Sequence, residues 1–79
     1  MNQRQRILKY IDDFGSISPM EAFTDLGITK LASRISEIIY KDGIPITKEP
    51  ETGINRYGKK IHYMRYYDGR IHQDVPKTA

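Results

Sequence analysis

Two groups of residues in this 79-residue chain have side-chain types and spacing suited to a polyanion. The first is Thr29, Lys30, Ser33, Arg34 and Glu37, a spacing that places them on one side of a helix and its flank. Hydroxyl and ammonium groups there can donate to phosphate oxygens. Arginine can also grip a guanine edge, and glutamate can accept from the cytosine amino group. The second group is Arg56, Lys59 and Lys60, three cations around Gly58, where a turn would present positive charge to a phosphate backbone. Each group also has a plainer reading. Glu37 stands four residues before Lys41, the favourable order for a helical ion pair, so a structural role outweighs cytosine readout. Arg34 either reaches nucleic acid or folds back on Glu21 or Asp25. Tyr40 either touches a backbone or packs under the later part of the chain.

Other chemistry is excluded or weakly supported. The absence of cysteine removes disulfides, thiolate metal sites and thiol nucleophiles. His62 and His72 are too sparse for a metal site, and no His/Glu pair has the i, i+4 helical spacing. Asp12-Asp13 reads as an exposed helix end rather than an acid/base pair. No serine elbow and no phosphate-cradling glycine loop is present. The chain is therefore expected not to be an enzyme, to use no cofactor and to take no small-molecule substrate. Tyr57, Tyr63, Tyr66 and Tyr67 are numerous enough for stacking on single strands. Core and cross-strand packing accounts for them better.

The formal net charge is +3, and it is unevenly spread. Residues 1–42 hold six Lys/Arg and six Asp/Glu, whereas residues 43–79 hold seven and four. All of the excess thus lies in the second part, which favours a polyanion partner there. No apolar run approaches the roughly 20 residues needed to span a membrane. The N-terminal residues lead into an amphipathic pattern rather than an apolar signal core. With no cysteine, a reducing cytosolic location is the expected setting.

The elements that must position these groups follow from periodicity and punctuation. Ile7, Leu8, Ile11 and Phe14 mark one face of a helix over 3–14, with Asn2 as its N-cap and Gly15 as its stop. Ser18-Pro19-Met20-Glu21 has the capping-box spacing with proline at the first helical position. It starts a helix from Pro19 to Leu26, with Met20, Phe23 and Leu26 expected inward, ended by Gly27. Thr29 is the expected N-cap of a helix over 29–42, whose inward stripe is Leu31, Ile35, Ile38 and Ile39. Beyond Gly43 the period changes to two. Ile44 to Lys48 predicts a first strand, Glu49 to Gly58 a loop or an extended hairpin end, and Lys60 to Tyr67 a second strand. Ile61/Tyr63 and Met64/Tyr66 both qualify as the buried face of that second strand. Residues 1–68 are expected to form one domain and 69–79 a mobile tail, since the tail has little apolar surface to order it.

A short turn centred on Gly27 would set the second and third helices at a steep angle and leave the start of the third exposed. Such a helix fits the major groove, and a basic hairpin after it completes an α+β winged helix-turn-helix. Counting back from Gly27, the position where a small residue usually packs is Phe23, with Ala22 adjacent. The sequence resembles the small winged helix-turn-helix proteins commonly encoded by bacteriophages and prophages. The resemblance spans about residues 2–67. It rests on Gly15-Ser16-Ile17-Ser18-Pro19 with Glu21-Ala22, on Leu26-Gly27-Ile28, and on Leu31-Ala32-Ser33-Arg34-Ile35-Ser36. In the hairpin it rests on Pro45-Ile46, Asn55-Arg56-Tyr57-Gly58-Lys59-Lys60 and Tyr63, Arg65 and Tyr66. It implies double-stranded DNA as the partner and transcriptional control as the role. The competing expectation is a phage adaptor that uses the same fold to bind or inhibit a host protein. The sequence is compatible with a homodimer on a palindromic site but shows no heptad or spare apolar helix to build one.

Overall fold

The computed structural model describes residues 1–71. Three helices, α1 (Gln3–Phe14), α2 (Pro19–Leu26) and α3 (Leu31–Tyr40), precede two antiparallel strands, β1 (Ile46–Ile54) and β2 (Lys60–Asp68). This is the α+β arrangement of three helices and a hairpin wing. Both predicted capping devices form. The Asn2 side chain accepts from the Gln5 N–H while the Gln5 side chain accepts from the Asn2 N–H. Ser18 and Glu21 do the same at the start of α2. Such a cap satisfies donors that the first helical turn leaves unpaired.

One apolar cluster holds the fold together. It consists of Ile7, Ile11, Ile17, Ala22, Ile28, Leu31, Ile35, Ile38 and Tyr66. Five of its members are isoleucines on no more than 1 % of their surface exposed. Ile17, between α1 and α2, pairs its backbone with Tyr66 through two hydrogen bonds of 3.0 and 2.9 Å. This single residue extends the hairpin toward a third strand and fixes the wing to the helices.

The structure corrects several expectations. Met20 and Phe23 do not face inward: they are 69 and 58 % exposed. The short helix α2 buries Ala22 and part of Leu26, which lie four residues apart on one face, and Met20 falls nearly opposite. Ala22, not Phe23, is therefore the small residue of the turn. Ile28, absent from the expected core, is buried just after Gly27. The third helix is shorter than 29–42. Lys30 is its N-cap, and it closes at Lys41, whose N–H donates to the Glu37 carbonyl.

The first strand shifts the most. It spans nine residues, not 44–48, and takes in much of the expected loop. Pro50 is tolerated because β1 is an edge strand with β2 on one side only. Gly53 is tolerated because the Tyr63 ring lies across it, 3.4 Å from where a Cβ would stand. Of the two candidate faces of β2, Met64/Tyr66 packs on the core. After β2 the chain turns, with the Gly69 N–H donating to the Pro45 carbonyl at 2.7 Å. The expected tail from 69 onward is followed as far as Ile71; its remainder lies outside the described residues.

Candidate nucleic-acid interface

Gly27 sets the angle of α3. It holds φ at 69°, a left-handed conformation that glycine adopts without strain. Its N–H reaches back to the Ala22 and Phe23 carbonyls, and the Ile28 N–H donates to Ala22 at 3.0 Å. Buried Ala22 and Ile28 then anchor both sides of the turn. The start of α3 is left exposed through Thr29, Lys30 and Ser33, followed by Ser36 and Tyr40. Thr29 does not cap the helix, and no side chain caps it. The first-turn N–H groups of α3 therefore have no side-chain acceptor, as would suit an anionic ligand.

Arg34 and Glu37 sit differently. Arg34 folds onto neither Glu21 nor Asp25. Its Nη1 donates to Glu37 Oε1 at 2.8 Å, on the same helix. Glu37 also faces Arg4 Nη1 at 3.7 Å and Lys41 Nζ at 3.9 Å. The predicted Glu37–Lys41 pair is thus present, as one side of a wider cluster. Arg4 further donates from Nε to Asp42 Oδ2 at 2.9 Å. Tyr40 does not pack under the hairpin; it is 84 % exposed.

At the wing tip, Asn55 organises the turn. Its side-chain oxygen accepts from the Tyr57 and Lys59 N–H groups, each at 3.0 Å, and its carbonyl accepts from Gly58. Gly58, at φ 78°, completes a three-residue hairpin loop. Arg56, Lys59 and Lys60 are all exposed there and make no ion pair among the described residues. No hydrogen bond or ion pair joins this group to the α3 group among those residues. Tyr57 is open to solvent, Tyr66 is in the core and Tyr63 lies over Gly53, so the four tyrosines do not form a single stacking platform.

Two further residues position these surfaces. Arg65 donates to Glu51 Oε2 and Glu21 Oε1, both at 2.8 Å, and to Ser16 Oγ at 3.1 Å. Glu21 is also the capping residue of α2, so one guanidinium ties the wing to the start of that helix. Burial pulls the Arg65 pKa down, but its two carboxylate partners raise it further still, so the group stays charged. The Glu51 carboxyl is held below its usual range, first by a hydrogen bond from Tyr63 and then by Arg65. Arg65 has a faint sequence signal, a charge inside a strand otherwise rich in aromatic residues. Arg4 has none, because its partners lie more than thirty positions away. Among the described residues no group of His, Asp and Glu could hold a metal ion. Among them, too, no helix is long and apolar enough to cross a membrane.

A family model described as a winged helix-turn-helix domain matches residues 2–67. No curated protein and no solved structure matches the chain significantly.

Proposed function

From the premise that this chain belongs to the winged helix-turn-helix domain family, whose members typically bind DNA and are not enzymes, we propose that it is a sequence-specific duplex-DNA-binding regulator. The observation that carries the reading is the pairing of an exposed, uncapped start of α3 with unpaired wing-tip cations. In this reading α3 enters the major groove. Thr29, Lys30 and Ser33 approach base edges and neighbouring phosphates. Arg56, Lys59 and Lys60 neutralise flanking backbone, which positions the domain without reading sequence. The setting is transcriptional control by a phage or prophage in a bacterial cytoplasm, as the resemblance implies. A host-protein adaptor is the second reading. The exposed rings of Phe14 and Phe23, 72 and 58 % accessible, favour it.

Selection from a random duplex pool, followed by salt titration, tests the proposal. An enriched motif is expected. Replacing Lys59 and Lys60 together by Ala is expected to weaken every duplex alike and to lower the salt slope by about two units, since each phosphate contact contributes about 0.9. Replacing Lys30 or Ser33 is expected to cost about 1–3 kcal/mol on the selected site and much less on random DNA. Failure to bind any duplex or heparin at low salt would discard the reading in favour of the adaptor.

A further inference from the structure

Glu37 lies one turn beyond Ser33 on the outward side of α3, a place where a carboxylate would meet the phosphates of an approaching duplex. It is nevertheless only 25 % exposed, because cations cover it. Arg34 holds it at 2.8 Å, Arg4 stands at 3.7 Å from the same oxygen, and Lys41 stands at 3.9 Å from the other. Arg4 is held a second time by Asp42 at 2.9 Å. Arg34 keeps 31 % of its side chain exposed, and its Nε is buried with no acceptor among the described residues, so Glu37 is the carboxylate that holds this guanidinium.

We infer that Glu37 is a charge clamp that restrains sequence-blind DNA binding, by occupying Arg34 and Arg4 with a carboxylate where a phosphate would otherwise bind. The inference rests on the DNA-binding reading and deepens it. Arginine grips carboxylate and phosphate with the same fork of donors, so the two compete for it directly. A regulator must find its site among a large excess of competing sequence, and background affinity hinders that search. The wing tip supplies backbone attraction without restraint. The clamp keeps α3 from adding to it indiscriminately. Glu37 thereby acts as an intramolecular stand-in for phosphate and not as a reader of cytosine.

Glu37→Gln tests this, because it keeps the shape and removes the charge. The variant is expected to bind random duplex roughly five- to tenfold more tightly than wild type at about 0.1 M salt, with a salt slope steeper by about one unit. The preferred duplex is expected to gain by the same factor. In an Arg34→Gln background the same change should gain less, since only the more distant Arg4 is then left to release. Asp42→Asn, which removes one of the two carboxylates on Arg4 and leaves Glu37 in place, should shift affinity in the same direction by a smaller factor. It carries the test if Glu37→Gln melts below the working temperature. Wild-type binding with unchanged random-duplex affinity and slope in both Glu37→Gln and Asp42→Asn would overturn the clamp and leave the DNA reading standing. A loss by Glu37→Gln confined to the preferred duplex would overturn it in favour of base readout. A wild-type chain that binds no duplex at low salt would overturn both.

Discussion

The wing tip and the exposed side of α3 both carry cations, but the wing tip leaves all three of its own unpaired among the described residues, whereas α3 leaves only Lys30 so. Arg56, Lys59 and Lys60 stand at the tip of the hairpin, outside the core cluster, and none of them forms an ion pair among the described residues. Their turn is built locally, by Asn55 and Gly58. Helix α3 packs against α1, so its flank meets Arg4 while Glu37 and Asp42 engage the surrounding cations. Charge counted along a chain is therefore not charge available to a partner. The tip offers backbone attraction outright, whereas α3 offers it only from Lys30 and the bare first turn.

The sharpest way to break this comparison is to remove the support of one region. Ile35 is fully buried beneath α3. Ile35→Ala is expected to cost about 2–5 kcal/mol, as other large-to-small core changes do. In a domain this small that is much of the total stability. Urea unfolding followed by circular dichroism should show a single transition shifted far to lower denaturant. A change under about 1 kcal/mol would mean that the cavity collapses and that α3 does not depend on this contact.

Arg65→Ala probes the coupling between the two regions. It removes the donors to Glu21, Glu51 and Ser16, and a loss of about 1–3 kcal/mol is expected. The pH dependence gives an independent readout. Glu51 has a folded-state pKa below its usual value of 4.5, so its contribution is present above that pH and is lost as pH falls through the lower folded value. Wild type should weaken in that acid window. Arg65→Ala should flatten the dependence only in part, because the Tyr63 hydrogen bond is the larger cause and remains. Unchanged acid behaviour in the variant would remove Arg65 from this account.

The helical part of the fold was legible because its signals are local. Asn2, Gly15, Ser18-Pro19 and Gly27 act on neighbours within five residues, and the boundaries of α1 and α2 follow from them. The extent of β1 was not legible. Pro50 and Gly53 argue against a strand when read alone, and only the open edge and the Tyr63 ring across the pair reverse that. Among the candidate site residues, the exposure of Lys30, Ser33 and the wing-tip cations follows from helical phase and turn residues. The fate of Arg34 and Glu37 does not, since it depends on Arg4 arriving from another helix. Met20 and Phe23 misled because an apolar residue on a two-turn helix has no obligation to be buried.

Tyr10 gives a smaller test, away from both basic surfaces. Its hydroxyl donates to Asp25 at 2.6 Å, linking α1 to α2. That hydrogen bond, ahead of desolvation and the nearby Glu21 and Asp25 charges, pushes its pKa up from 10.0 to about 12. A pKa raised by folding adds stability that is fully present below pH 10 and is lost as pH rises through about 12. Tyr63, Tyr66 and Tyr67 are shifted the same way, so the difference between wild type and Tyr10→Phe isolates this one. Thermal melts at stepped pH should converge for the two proteins as the alkaline limit is approached. Curves that overlay throughout would show that the hydroxyl adds nothing and that the contact rests on the ring, which both proteins pack against Phe14.

The smallest effect is expected at the wing tip itself. Tyr57 is 88 % and Ile54 74 % exposed, and neither belongs to the core cluster. The turn is held by Asn55 and the backbone, not by these side chains. Tyr57→Ala and Ile54→Thr should therefore each change stability by no more than about 0.5 kcal/mol, as surface substitutions usually do. Ile54→Thr also keeps a β-branched residue suited to a strand. Melting curves that overlay wild type are the expected result. They would show that the tip can vary without cost to the fold, so that selection there acts on the partner alone. A loss of several degrees from Tyr57→Ala would mean that the ring docks on the protein, and the wing tip would then be occupied much as α3 is.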